Sequence, residues 1–205
     1  MYWKLNRIQY PVYNLGPGTR IGIWVQGCSL QCKGCVSPSL WTSQNGKEID
    51  IEYLVKQISV VQDCFDGITI SGGEPFDQYQ ALIVFSAFIK KKTDLNIYSF
   101  SGYTLEELTK KFPDQLFMTY LDYLLDGRYM QEKHSNRNAR GSINQNLYKF
   151  VNGRFFLQKG FFTSKRWSIN VSKDNQVFMS GIPRKNDLNK IKYHFNKLGI
   201  EMVYV

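Results

Sequence analysis

Short apolar runs alternate with stretches of helical periodicity from residue 19 to residue 125. The run TRIGIWVQ, residues 19–26, is rich in β-branched and aromatic positions and predicts a buried strand. Residues 1–18, punctuated by Pro11, Gly16, Pro17 and Gly18, read as an entry segment. Residues 37–49 are polar and predict a loop. Asp50 then stands where an N-cap is needed, and Ile51, Leu54, Val55 and Ile58 recur on one face of a helix over 51–61. GITIS, residues 67–71, predicts a second strand, and residues 78–91 predict a helix ending in lysines that suit its dipole. A third strand is expected over 95–100. Thr104 and Glu107 have capping-box spacing for a short helix ending near Lys111, and 120–125 predicts a fourth strand.

Strand, loop and helix thus repeat, which is the pattern of an α/β fold with parallel strands and helical crossovers. Beyond residue 126 the pattern changes. Residues 127–145 are polar and loop-like. Residues 166–181 predict two strands about a Lys173-Asp174-Asn175 turn, residues 186–198 an amphipathic helix stopped by Gly199, and residues 200–205 a last strand. The expected organisation is a core over 1–150 and a small β/α extension over 151–205.

Composition sharpens this picture. At 205 residues, with 43% hydrophobic and 15% aromatic content, the chain can bury a real core. No apolar run approaches a membrane span, and the first residues carry no apolar signal segment. Four cysteines, three of them clustered, do not make a secreted disulfide framework, so a reducing cytoplasm is expected. The net charge of +9 is spread along the chain. It predicts a soluble basic surface, with docking to an acidic protein as a further reading; no nucleic-acid motif accompanies it, and nucleic acid is not expected.

The chemistry concentrates in QGCSLQCKGCV, residues 26–36. Cys28, Cys32 and Cys35 have C-x3-C-x2-C spacing, directly after a predicted strand. Thiolates gathered on one loop suit zinc or an iron–sulfur cluster. Zinc usually takes four protein ligands as two close pairs, and no second C-x2-C or H-x3-H pair exists beside His134 and His194. Three cysteines would leave one cluster iron without a protein ligand. Cys64, isolated at a helix end, is expected as a small buried side chain. Ser71-Gly72-Gly73-Glu74-Pro75 follows the second strand. Its glycines would let a ligand approach the backbone, and its carbonyls and Glu74 could hold an ammonium group. Ser99, Ser101, Asp122, Ser142 and Asn144 lie near predicted strand ends or in the loops that follow. His134 is expected to be solvated and His194 to be structural.

At these residues the chain resembles the radical S-adenosylmethionine (SAM) superfamily. The set Gly16-Pro17-Gly18-Thr19-Arg20, Val25-Gln26-Gly27-Cys28, Gly34-Cys35, Ser71 to Pro75, Ser101-Gly102-Tyr103-Thr104, Asp126-Gly127-Arg128-Tyr129 and Arg140 to Gln145 narrows the resemblance. It points to activating enzymes of glycyl radical enzymes, and among them to the anaerobic ribonucleotide reductase activases. The resemblance implies an open partial (β/α) barrel. It implies a [4Fe-4S] cluster on Cys28, Cys32 and Cys35. It implies SAM contacts at Gly34, Val36, Gly72, Gly73, Glu74, Ser101 and Asn144. It further implies reductive cleavage of SAM to a 5′-deoxyadenosyl radical, a glycyl radical enzyme as the partner, and an electron donor such as flavodoxin. No acid–base residue of the chain is expected to be catalytic. Two other readings stand beside it: a radical SAM enzyme acting on a small molecule such as a deazapurine precursor, and a non-catalytic zinc or iron–sulfur module that binds a partner.

Overall fold

A computed structural model of the chain describes residues 1–135, 140–160, 167–171, 177–181 and 187–199. An eight-stranded mixed sheet forms its centre, in the order β3-β1-β2-β4-β5-β6-β7-β8. The strands are β1 (Tyr2–Val12), β2 (Arg20–Val25), β3 (Lys47–Asp50), β4 (Gly67–Gly72), β5 (Asn96–Phe100), β6 (Tyr123–Asp126), β7 (Asn146–Val151) and β8 (Arg154–Leu157). The four central strands β2, β4, β5 and β6 are parallel. Antiparallel strands flank them on both sides.

The helices follow the periodicity read above. α1 (Ile51–Val60) buries Ile51, Leu54, Val55 and Ile58, and Asp50 caps it by accepting from the Tyr53 N–H. α2 (Tyr79–Lys92) ends in three lysines. α3 (Leu105–Lys111) carries the complete Thr104–Glu107 capping box. α4 (Leu116–Tyr120) occupies the start of the predicted fourth strand, which begins only at Tyr123. These helices cover one face of the sheet. There Ile21, Ile23, Val25, Ile68, Ile70, Ile97 and Leu124 join the helical side chains in the largest apolar cluster. The opposite face carries two smaller clusters, built around Trp24 with Val12, Leu15 and Leu40, and around Tyr98 with Leu125 and Leu147.

Four strands depart from the sequence reading. The opening segment is β1, a full strand. Its alternation is broken by register shifts between Leu5 and Arg7 and between Gln9 and Val12, which mask the period of two; Ile8 and Tyr10 are exposed. Lys47–Asp50 at the end of the predicted loop is β3, a short edge strand. β7 and β8 form a hairpin whose two turn residues, Asn152 and Gly153, both have positive φ (50° and 72°). Asn-Gly is the pair that such a turn favours.

Arg20 ties the sheet together from inside. It is fully buried. Its guanidinium donates to Thr69 Oγ1 (2.6 Å) and to the carbonyls of Pro17 (2.8 Å), Ile68 (2.6 Å) and Asn96 (3.3 Å). Burial lowers its pKa to about 10, which still leaves it charged at neutral pH. The Gly-Pro-Gly-Thr-Arg motif is therefore architectural at its arginine.

Past β8 lie a hairpin of β9 (Trp167–Val171) and β10 (Val177–Gly181), and α5 (Asp187–Lys197). These are the two strands and the helix expected of the extension. The expected Lys173-Asp174-Asn175 turn and the last strand over 200–205 lie outside the described residues. Among the described residues, no helix is long and apolar enough to cross a membrane.

Candidate iron–sulfur and SAM site

β2 ends at Val25 and releases the cysteine loop, which is pinned on all sides. Gln26, 1% exposed, donates to the carbonyls of Ser39 (3.1 Å) and Thr42 (2.6 Å) and accepts from Asn6 Nδ2 (2.9 Å). The N–H groups of Gly27 and Cys28 donate to Leu40 and Trp41. Asp77 accepts from Ser29 through both the backbone N–H (2.7 Å) and the hydroxyl (3.0 Å). The Cys35 N–H donates to the Cys32 carbonyl (3.1 Å) and closes the turn between the second and third thiols.

Cys28, Cys32 and Cys35 are all free and partly buried. Burial raises the pKa of Cys28 and Cys32, opposed by backbone N–H groups: those of Gln31 and Leu30 at Cys28, and that of Tyr129 at Cys32. Without metal, these two thiols hold their protons; a metal must displace them. Among the described residues no three His, Cys, Asp or Glu side chains converge closely enough for one metal ion. A zinc ion would need its thiolates around a single centre at about 2.3 Å. A four-iron cluster seats each thiolate on a different iron, so three thiols spaced along one loop fit it better.

The cysteine loop lies against the second motif through its backbone. The Gly73 N–H donates to Val25 and the Glu74 N–H to Gly27, each at 2.9 Å. A Cβ on Gly73 would sit 2.0 Å from the Gly27 carbonyl oxygen, and one on Gly72 would sit 2.6 Å from Val25 backbone atoms. At Gly102 a Cβ would meet the tip of the Leu30 side chain at 2.3 Å, a contact that a flexible side chain relieves more easily than backbone does. The glycines thus let two strand ends and the cysteine loop close on each other. The sequence reading assigned their smallness to ligand approach; in the structure it first serves backbone packing.

Glu74 is 1% exposed. Its carboxylate accepts from the Phe76 N–H (3.0 Å), the Ser101 hydroxyl (2.9 Å) and the Gly102 N–H (2.7 Å). Burial outweighs these three bonds and pushes its pKa up to about 7. Ser101 in turn accepts from the Tyr103 N–H. Glu74 and Ser101 therefore form one unit that fixes the loop after β5.

A cleft of about 730 Å³ opens over these strand ends. Cys28, Cys32, Gly34, Cys35, Val36, Gly72, Gly73, Glu74 and Ser101 all line it. Asn144 does not: its amide donates to the Arg128 carbonyl (2.9 Å), and its buried Oδ1 has no partner. The neighbouring Gln145 lines the cleft instead, braced by Gly127, Gly141 and Ser142. Ser99, Asp122 and Ser142 also stay outside. Asp122 lies at the start of β6, where it pairs with Lys90 and accepts from the Ile97 N–H.

His134 departs from expectation. It lines the cleft rather than standing in solvent, with Nδ1 3.1 Å from the Tyr129 hydroxyl and a buried Nε2 that has no partner. Nothing in its sequence neighbourhood marks it; an isolated bridge between His134 and Ser142 brings it inward. Cys64 departs in the other direction, being exposed after α1 rather than buried. His194 is an exposed position on α5.

Comparison with known proteins agrees with this geometry. Residues 14–148 match the family described as a 4Fe-4S single cluster domain. The anaerobic ribonucleoside-triphosphate reductase-activating protein of Vibrio cholerae is 35% identical over an alignment of 143 residues that covers 66% of this chain and 91% of that protein. The protein of the same name from Haemophilus influenzae is 33% identical over 71% of this chain and 99% of its own length. A pyruvate formate-lyase-activating enzyme of Clostridium pasteurianum is 34% identical over 46% of this chain and 43% of its own. With a matching cluster-domain model over two-thirds of its length and these relatives, the chain belongs to the 4Fe-4S single cluster domain family and, within the radical SAM superfamily, to the activating enzymes of glycyl radical enzymes.

Proposed function

We propose that the chain binds SAM beside a [4Fe-4S] cluster and uses it to remove a hydrogen atom from a glycine of a partner enzyme of the anaerobic ribonucleotide reductase type. One observation carries the reading. The three loop cysteines share a single cleft with the strand-end glycines, Glu74 and Ser101. When bound, cluster and SAM supply one chemistry: an electron from an external donor breaks a C–S bond of SAM, leaving methionine and a 5′-deoxyadenosyl radical.

The residues of the chain bind and position. Cys28, Cys32 and Cys35 would hold the cluster, leaving an iron without a protein ligand for SAM. The strand ends at Gly72 and Gly73 present backbone polar groups to the methionyl part of SAM, and Glu74 and Ser101 keep that surface in shape. Gly34 and Val36 line the side of the adenosine. Asn144, bound to Arg128, is a weaker candidate for a ligand contact than the neighbouring Gln145. The division into a core over 1–150 and an extension over 151–205, and the opening of the sheet as a partial barrel, belong to the same reading. So do a flavodoxin-like donor, for which the net charge of +9 is complementary, and a reducing cytoplasm.

The test is anaerobic reconstitution with iron and sulfide, then dithionite and SAM. Formation of 5′-deoxyadenosine is expected, and with an anaerobic ribonucleoside-triphosphate reductase present, a glycyl radical signal. A protein that takes up four irons and yet forms no 5′-deoxyadenosine would refute the reading. The small-molecule alternative is favoured only if 5′-deoxyadenosine forms while the reductase never acquires a radical.

A further inference from the structure

The β9–β10 hairpin is fastened to the side of the main sheet opposite α1 to α4. Asn14, 2% exposed, donates to the Ser180 carbonyl (2.7 Å) and to Ser168 Oγ (3.3 Å). The Ser180 hydroxyl donates back to Asn14 Oδ1 (3.3 Å) and lies 3.0 Å from Ser168 Oγ. One buried amide thus grips both strands. Two residues before Ser180, the Phe178 ring covers the Arg7 guanidinium at 5.1 Å, and the Trp24 ring covers it at 5.0 Å. Such a stack, desolvated on both sides, favours one docked position.

Met179 stands between these two attachments. With Ser180, Gly181 and Asn189 of α5, it lines the same cleft as the three cysteines. The hairpin lies beyond residue 148, where the family match ends. The cleft has a further property. Among the described residues lining it there is no lysine or arginine, although the chain carries a net charge of +9. Its carboxylate, Glu74, is already engaged by three donors. Among the described residues that line the cleft, an anionic metabolite would meet no lysine or arginine, whereas an uncharged polypeptide backbone needs none.

We propose that the β9–β10 hairpin is the acceptor-side wall of the cleft, narrowing it to one extended, uncharged, glycine-bearing segment of the partner protein, with Met179 in contact with that segment. The proposal rests on the glycyl radical reading above. It makes the extension a determinant of which protein is accepted, and leaves SAM binding to the strand ends.

The full chain is reconstituted anaerobically as wild type, Met179→Ala and Met179→Trp, with iron content and circular dichroism matched. With dithionite and SAM only, all three make 5′-deoxyadenosine at rates within about two-fold of one another. Radical formation on an anaerobic ribonucleoside-triphosphate reductase is then followed by electron paramagnetic resonance against reductase concentration. Met179→Trp is expected to raise the KM for the reductase about ten-fold, and Met179→Ala to shift it about three-fold. Unchanged KM in both variants overturns the assignment of the hairpin. So does a loss of 5′-deoxyadenosine that parallels the loss of radical transfer. A wild-type protein that makes no 5′-deoxyadenosine, or makes it without any radical on the reductase, instead overturns the reading on which the proposal rests.

Discussion

A Cβ on Gly73 would lie 2.0 Å from the carbonyl oxygen of Gly27, well inside contact distance. Two segments 46 residues apart in sequence thereby become one rigid platform: the loop that carries the thiols and the strand end that faces the cleft. The neighbouring backbone bonds, Gly73 to Val25 and Glu74 to Gly27, depend on this approach.

Gly73→Ala should therefore damage more than ligand binding. The added methyl must push the cysteine loop away, at a cost of about 1–3 kcal/mol typical of overpacking. Iron retained after anaerobic reconstitution is expected to fall by more than about half, together with SAM binding. Full iron loading with only weakened SAM binding would return the glycine to the ligand-approach role.

Much of this was legible in advance, and particular residues show why. Ile51, Leu54, Val55 and Ile58 kept a strict helical period because α1 buries one face only. Asp50 and the Thr104–Glu107 pair marked helix starts through local hydrogen bonds, which sequence encodes directly. The three cysteines were legible because spacing sets which thiols one loop can present. β1 was not, because its register shifts break the alternation and Pro11 weakens the strand signal. The Asn152-Gly153 turn carried a readable hairpin signal, but in β8 Phe155, Phe156 and Leu157 run together without alternation and are all exposed, so no period of two accompanied it. The placement of His134 and the smallness of Gly73 depend on long-range approach, to which no local pattern corresponds.

Arg20 offers a second test, on stability alone. Its charge is buried and held by one hydroxyl and three carbonyls from different segments. Lysine keeps the charge but has neither the planar fork nor the reach to satisfy all four. Arg20→Lys is expected to lower the unfolding free energy by about 2–4 kcal/mol, measured by urea denaturation of the metal-free protein. A loss under about 1 kcal/mol would show that these bonds contribute little net stability.

Glu74 should give the fold a pH dependence of definite sign. Burial raises its pKa from the ordinary 4.5 to about 7, so the folded protein binds this proton more tightly than the unfolded chain. The stability so gained is complete below 4.5 and is lost as pH rises through about 7. Its full size is on the order of 3 kcal/mol. Glutamine cannot ionise, so the stability difference between wild type and Glu74→Gln should drift against the wild type across that window. Parallel stability curves from about pH 4 to pH 8 would mean that Glu74 is not titrating there.

The cysteines themselves separate site from surface. Cys32 lines the cleft and holds the turn to Cys35 through its carbonyl, a bond that survives loss of the side chain. Cys32→Ala should accordingly leave the unfolding free energy of the metal-free protein within about 1 kcal/mol of wild type while lowering 5′-deoxyadenosine formation by about 100-fold or more. Cys64 is exposed and does not line the cleft, so Cys64→Ala should keep both iron content and activity. Iron and sulfide analysis beside product formation distinguishes the two variants. If Cys64→Ala lost iron as Cys32→Ala does, a fourth thiol would have to reach the cluster. The corner reserved for SAM would then be filled by the protein, and radical formation through it would be untenable.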